Sequence, residues 1–472
     1  MKSVIPPLWK HQKKTIAFAS KTERMLDLSD PGTAKTRGQL EIFSKRRKAG
    51  SGCMLVLAPK NLLRSAWADD CEKYTPHLTT SIAYAENREK AFAADVDIYI
   101  TNIDAVTWLA KQKPAFFKRF DMAVVDESTA YKHHTSGRSR ALNKVKKHFR
   151  YRSALSGTPN SNTICDVWNQ VMFLDDGRRL GTQFFAFRGT VCTPKQVGPT
   201  AQMVKWEDKE GAEEAVFDLL RDITIRHKFE DCIDIPETNK YTFSYHLPEK
   251  QLKAYREMEA TQMMRLVSEA NRPAAVKARM LGLPVVYDMI TAINAAAVTT
   301  KLLQIASGAV YESPDKYHVV DTGRYAMIID LVAERKHPLV FFLWKHQRDE
   351  LIKEATSRKL KFCVLDGDAS DKAREEMIKG YQAGFYDVMF AHPKSAAHGL
   401  TLTRGTSTIW ASPTYDAEWF SQGNKRQARA GQTERTEIIV VLAPGTIELG
   451  VYEKLLTKGA RMGSLLSLFA ET

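Results

Sequence analysis

The stretch LSDPGTAKT (Leu28 to Thr36) sets Gly32, Lys35 and Thr36 in the order that phosphate cradling requires. Such a cradle needs a tight loop after a strand, backbone N–H groups converging on oxygens, a lysine for the β/γ charge and a hydroxyl for Mg2+. Thr33 and Ala34 complete the loop, and RGQLEIFSKRR behind it reads as a helix whose N-terminus points at the phosphates. The strict pattern G-x-x-x-x-G-K-[ST] asks for glycine where this chain has Ser29 and Ala34. A methyl at position 34 crowds the loop if that residue takes a positive φ. An ordinary turn before a helix is the plain alternative. A second stretch, MAVVDESTA, is an apolar run that ends in Asp126 and Glu127. One carboxylate there can hold Mg2+ through water while its neighbour polarises an attacking water, which suits hydrolysis of a nucleoside triphosphate. A solvated Asp-Glu pair is the alternative; the pair gains meaning only if the fold brings it to the loop.

The elements that would do so are legible. Short β-rich runs, CMLVLAP, VDIYIT, MAVVDE and RSALSGTP, alternate with helix-like stretches, which predicts a parallel sheet wrapped by helices. Ligands bind beyond the carboxyl ends of the strands in such sheets, so Pro59, Asp126 and Thr158 are expected to face one crevice. From about Glu249 to Gly308 the pattern turns Ala/Met/Lys-rich and helical, with no convincing strand. Alternation then resumes with HPLVFFLW, KFCVLDG, YDVMFAHP, GTSTIWAS and TEIIVVLAP, enough for a second parallel sheet. The expected organisation is an α/β domain with trailing helices over 1–240, a helical insertion over 241–320 and a second α/β domain over 321–472.

Composition agrees with this division. A chain of 472 residues is too long for one ordinary core. The 69 Lys+Arg exceed the 55 Asp+Glu by 14, a balance that favours polyanions such as nucleic acid. The six cysteines are scattered, with no C-x-x-C pair and no histidine at zinc-ligand spacing, and read as reduced core residues. The N-terminus MKSVIPPLWKHQ has no apolar signal core, and no run nears the roughly 18 apolar residues of a spanning helix. A soluble intracellular protein without a membrane partner is expected, and KRRK (Lys45 to Lys48) reads as a solvated helix end rather than a targeting signal.

Taken in order, these motifs resemble the superfamily-two helicase-like ATPases, and specifically their Swi/Snf-type branch. LWKHQKKTIAF is similar to the opening glutamine motif, LVLAPKNLLRSAWADD and IYITNIDAV to the next two, and ALSGTPNSN to the Ser/Thr-Gly-Thr-Pro element. DVWNQVMFLDDGRRLGTQFFAFRGTVC and LLRDITIRHKFEDCIDIPE resemble the segments that follow the first motor core of that branch. PLVFFLWKHQRDEL and LDGDASDKAREEMIKGYQAG look like the opening of its second motor domain, and QGNKRQARAGQ matches its final Q-x-x-x-R-x-x-R-x-G-Q signature at every specified position. HPKSAAHGLTLT departs more, keeping Gly399 and a basic Lys394 where the family has Ser-Thr-Arg-Ala-Gly-Gly.

The resemblance implies two RecA-like parallel-sheet domains of the P-loop NTPase type, with protruding helices between them, that hydrolyse ATP with Mg2+ at the cleft between the lobes. It implies that Gln12 reads adenine, that Gly32, Thr33, Ala34, Lys35 and Thr36 cradle the phosphates and that Thr36 and Asp126 hold Mg2+. Glu127 would orient the water, Ser156 and Thr158 would couple nucleotide to track, and Pro59, Lys60 and Thr101 would lie on the nucleic-acid backbone. Lys394 and Ser395 would also grip a phosphate; a strand-to-helix turn is the alternative, and His392 and His398 read as surface histidines. Arg426 and Arg429, three apart on a helix and so on one face, would be arginine fingers framed by Gln422. The expected activity is translocation on double-stranded or forked DNA by a protein monomeric on its track. A compact bacterial or phage form in the cytoplasm fits better than a chromatin remodeller, and a eukaryotic source would place it in the nucleus. A strand-separating or branch-migrating helicase and a catalytically weak DNA-binding scaffold are the rivals.

Overall fold

The computed structural model describes residues 5–160, 163–196, 204–232, 236–270, 297–313, 315–396, 400–429 and 431–468. The chain divides into two compact units, one built from Met1–Thr193 with Asp208–Asp234 and Lys458–Thr472, the other from Pro194–Glu207 with Ile235–Thr457.

The first unit is organised on β1 (Arg24–Asp27), β2 (Cys53–Ala58), β3 (Thr80–Ala83), β4 (Ile98–Asn102), β5 (Phe120–Asp126) and β6 (Tyr151–Leu155). In chain order a separate two-stranded ribbon, β7 (Cys192–Gln196) and β8 (Val204–Asp208), most of which belongs to the second unit, precedes β9 (Thr224–Ile225), which closes the seven-stranded order β3-β4-β2-β5-β6-β1-β9. Every neighbouring pair in that sheet is parallel. All six residues of β2, CMLVLA, are buried, as a strand covered by helices on both faces demands. One of those faces packs Met54, Val56, Met122 and Val124 against Leu40 and Phe43 of α2 (Lys35–Lys48) and Ile16 of α1 (Lys10–Lys21). KRRK is the last turn of α2, where its charges meet the negative end of the helix dipole. Because the strands are parallel, their carboxyl ends share one edge. Register fixes which residues emerge there: Asp27 and Asp126 both lie opposite Leu155, and Leu57 lies opposite Val125.

The second unit carries β10 (Thr238–Ser244), the antiparallel hairpin of β11 (Ala309–Ser313) and β12 (Lys316–Val319), then β13 (Leu339–Phe341), β14 (Phe362–Leu365), β15 (Val388–Ala391), β16 (Ser407–Trp410) and β17 (Thr436–Leu442). Its main sheet runs β10-β17-β16-β13-β15-β14, again with parallel neighbours throughout. Alternate residues go to opposite faces. Val340, Phe390, Ile409 and Val441 enter one core, while Leu339, Phe341, Met389, Trp410 and Val440 enter the other. Arg324 and Glu448 form a buried ion pair at 2.8 Å, which also clasps the Ala411 carbonyl and the Ala443 N–H. Of the expected helical insertion, the helix Glu249–Ala270 and residues 297–308 are described, with Tyr255, Leu302 and Ile305 packed together; residues 271–296 lie outside the described residues. Among the described residues no helix is long and apolar enough to cross a membrane. Five of the six cysteines are buried and Cys232 is half-buried, with no disulfide.

Candidate active site

The loop between β1 and α2 turns through two left-handed residues, Gly32 (φ 94°) and Ala34 (φ 55°, ψ 48°). Ala34 is the N-cap of α2, so the position at which the strict motif asks for glycine takes the conformation that glycine accommodates without strain. The loop is held from three sides. Ser29 N–H donates to the Asp27 carboxylate at 3.0 Å, Asp30 N–H to the His227 carbonyl at 3.0 Å, and His227 N–H to Ser29 Oγ at 3.1 Å. His11 Nε2 reaches the Thr33 carbonyl at 2.9 Å, so that nitrogen carries the proton. Thr15 Oγ1 donates to the His11 carbonyl and accepts from His227 Nε2 at 2.9 Å, closing the bracket between α1 and the segment after β9. Lys35 Nζ donates to the Ser29 carbonyl at 2.6 Å and the Asp30 carbonyl at 3.3 Å. Thr36 follows in the first turn of α2.

Asp126 ends β5 at the same sheet edge, buried to 8% exposure. Trp67 Nε1 donates to its Oδ2 at 2.9 Å and the Glu127 N–H to its Oδ1 at 3.1 Å. Burial pushes the Asp126 carboxyl up to about 6, with Glu127 adding to the shift while Trp67 and the nearby Lys35 oppose it. A buried carboxylate held by two donors, with a second acid beside it, is a site that gains from a cation. Glu127 itself is left-handed (φ 52°) and opens the turn Ser128–Tyr131.

The Ser-Gly-Thr-Pro turn follows β6. Ser156 N–H donates to the Asp27 carbonyl at 3.0 Å, and Thr158 N–H to Ser156 Oγ at 3.0 Å. A Cβ on Gly157 would lie 2.7 Å from Pro31 Cδ, so only glycine lets this turn approach the phosphate loop so closely. Pro59 and Lys60 emerge from β2 at that edge, Lys60 exposed. Gln12 Nε2, whose Oε1 accepts from Trp9 N–H, and Thr158 Oγ1 are buried and have no partner among the described residues. A buried donor left unmatched is costly, and a nucleotide or water at either atom would satisfy it.

Three expectations need correction. Thr101 is fully buried and donates to the Ala83 carbonyl at 2.7 Å; it ties β4 to β3 and offers no hydroxyl to a nucleic-acid strand. Arg426 and Arg429 are not on a helix, because the helix Ala417–Asn424 stops before them. They converge instead on the Leu400 carbonyl, Arg426 at 3.2 Å and Arg429 at 2.6 Å, and Arg426 is buried with its Nε on the Gln422 carbonyl. The surface reading of His392 also fails: its ring sits between Phe342 and Trp419, and burial lowers its pKa. Gln422 is buried with Nε2 on Glu418, Lys394 is exposed on the short helix Pro393–Ala396, and the Ser395 carbonyl accepts from Arg374 at 2.6 Å. His398 and Gly399 lie outside the described residues.

Sequence reasoning missed the residues that hold these turns together. Gln170, on the helix Trp168–Asp175, accepts from Ser128 Oγ at 2.6 Å and donates to the Pro159 carbonyl at 2.8 Å and the Asp166 carbonyl at 2.9 Å. One buried amide thus bridges the turn after Glu127 to the Ser-Gly-Thr-Pro turn. The polar pair Asn169-Gln170 within the apolar run VWNQVMFL was its trace in the sequence. His11 and His227 left no signal at all, since their partners, the Thr33 carbonyl for one and Thr15 Oγ1, Ser29 Oγ and the Asp30 N–H for the other, are remote in sequence.

Residues 11–290 match the SNF2-related domain. Protein p41 of Acyrthosiphon pisum secondary endosymbiont phage 1 is 28% identical over 92% of this chain and 92% of its own length. An uncharacterized ATP-dependent helicase of Mycoplasma genitalium is 21% identical over 84% of this chain, which spans only 35% of that protein. The SWI/SNF-related matrix-associated actin-dependent regulator of chromatin subfamily A-like protein 1 of Xenopus laevis is 24% identical over 94% of this chain, which spans 42% of it. Among solved structures, the chain is similar to the Sulfolobus solfataricus SWI2/SNF2 ATPase core in complex with dsDNA, with a TM-score of 0.44 and 20% identity over 98% of this chain and 94% of that one.

Proposed function

The chain belongs to the SNF2-related domain family, and from that premise we propose that it is an ATP-driven motor that translocates on double-stranded DNA. The observation that carries the proposal is the convergence, on one edge of the first sheet, of the phosphate loop, Asp126-Glu127 and the Ser-Gly-Thr-Pro turn, with Gly157 packed on Pro31. In this reading Gln12 offers its unmatched Nε2 to adenine, and Gly32, Thr33, Ala34 and Lys35 surround the phosphates. Mg2+, held by Thr36 and Asp126, would shield the phosphate oxygens. Lys35 trades its two loop carbonyls for β/γ oxygens, and Glu127 orients water for in-line attack. Arg426 and Arg429, carried by the second unit, stabilise the charge that develops at the γ-phosphate, so that turnover waits on the two units closing over nucleotide. Thr158 Oγ1, one turn from the phosphate loop, is the atom through which nucleotide state reaches the track.

Affinity for DNA rests on backbone contacts by Pro59, Lys60, Lys394 and Ser395, which read no sequence and weaken as salt rises. We further propose that it works as a monomer in the cytoplasm of a bacterial or phage-infected cell; a phage relative similar along nearly its whole length supports the phage setting. ATPase activity stimulated by duplex DNA is the expected behaviour, and Lys35→Ala or Glu127→Gln abolishes it while DNA binding, followed by anisotropy, survives. Turnover indifferent to DNA and to both substitutions would sink the proposal.

A further inference from the structure

A groove of about 580 Å³ runs along the first unit between α1 and the segment that follows the helix Ala212–Leu220. Its walls carry Lys10, Lys14, Lys21, Arg221, Arg226 and Lys228, against the single carboxylate of Asp231. The three α1 lysines, spaced four and seven residues apart, share one helical face and rise along it by roughly 6 and 10 Å. Arg226 is balanced by Asp30 at 3.6 Å and Arg221 by Asp218 at 3.2 Å. Lys10, Lys14, Lys21 and Lys228 have no acidic partner among the described residues. Four like charges converging on one concavity against the single carboxylate of Asp231 repel each other, and a bound anion relieves that repulsion.

We propose that this groove is a second anion site, distinct from the phosphate loop, that takes a multiply charged phosphate ligand. Lys35, Thr36 and Asp126 are not among its walls. It touches the loop at His11, whose ring holds the Thr33 carbonyl, and at His227, whose backbone holds Ser29 and Asp30. A ligand seated there lies against the residues that hold the loop in shape. The phosphates come either from a nucleic-acid strand or from a free polyphosphate, and the two sources are separable.

The test needs no turnover, so its failure is independent of the ATPase reading. Binding of inorganic tripolyphosphate is measured by calorimetry in a Lys35→Ala background, which takes the phosphate loop out of competition. Binding of a labelled single-stranded oligonucleotide is measured by anisotropy across a salt series. Each is repeated with Lys14→Glu/Lys21→Glu and with Lys111→Glu/Lys113→Glu, a charge-matched change at positions exposed elsewhere on the same unit. All four lysines are exposed, so the variants are expected to fold, which thermal melting checks. The groove variant is expected to lose affinity about tenfold or more in at least one arm while the control does not. Loss in the tripolyphosphate arm identifies a free polyphosphate, and loss in the oligonucleotide arm, with the salt slope falling by about 1.4 for two lysines, identifies a strand. Unchanged affinity in both arms, or equal loss in the control, overturns the site. A matching loss of ATP affinity in the groove variant also overturns it, because the groove would then be part of the nucleotide site.

Discussion

At the scale of single residues, Ala34 shows how strain sits at a site of function. An L-residue in the left-handed region costs about 1 kcal/mol or more relative to glycine, and Ala34 holds φ 55° within the phosphate loop. Ala34→Gly is therefore expected to stabilise the first unit by about 1 kcal/mol, seen as a rise of roughly 2 °C in its unfolding midpoint. A midpoint unchanged or lowered would mean that the loop takes another conformation. The residue types Gly32, Lys35, Thr36, Asp126 and Glu127 were legible because their chemistry is local: a cradle, a cation and two acids. Thr101 misled because a strand-end hydroxyl looks the same in sequence whether it faces solvent or, as here, the neighbouring strand's Ala83 carbonyl.

Elements were legible where they are periodic and opaque where tertiary contacts decide them. The runs around β2, β5, β13 and β17 read as strands because both faces of a parallel sheet are covered and each run is mostly apolar. β10 gave no such signal: its residues TNKYTFS are half-buried or exposed, and only its pairing with β17 makes it a strand. The arginine signature was legible as a motif, but not its shape. Gly423 fits beside Phe341 and Trp410, where a Cβ would come within 3.0 Å, and the helix ends one residue later, leaving both arginines in a turn that the Leu400 carbonyl organises. Gln170 is the element-scale device that no pattern announces. Gln170→Leu keeps the side-chain volume but leaves Ser128 Oγ and the Pro159 carbonyl without that partner, at a cost of roughly 1–3 kcal/mol in stability. DNA-stimulated kcat is expected to fall about tenfold, the equivalent of a 1.4 kcal/mol rise in barrier, with ATP affinity little changed. Full activity in that variant would show that the two turns do not depend on their bridge.

For the molecule as a whole, the division of labour follows the two units. One sheet edge carries the phosphate loop, the acid pair and the Ser-Gly-Thr-Pro turn, and the other unit carries the arginine turn and the exposed Lys394. In the proposed reading, placing the nucleotide on one unit and the arginines on the other makes hydrolysis conditional on movement, which is what a motor needs. The account therefore stands or falls on movement along intact duplex. Displacement of a triplex-forming third strand, followed by gel mobility beside unwinding of a forked duplex, tests it most directly. The account predicts ATP-dependent release of the third strand, lost in Lys35→Ala, with the fork left paired. Unwinding of the fork without release of the third strand would contradict it.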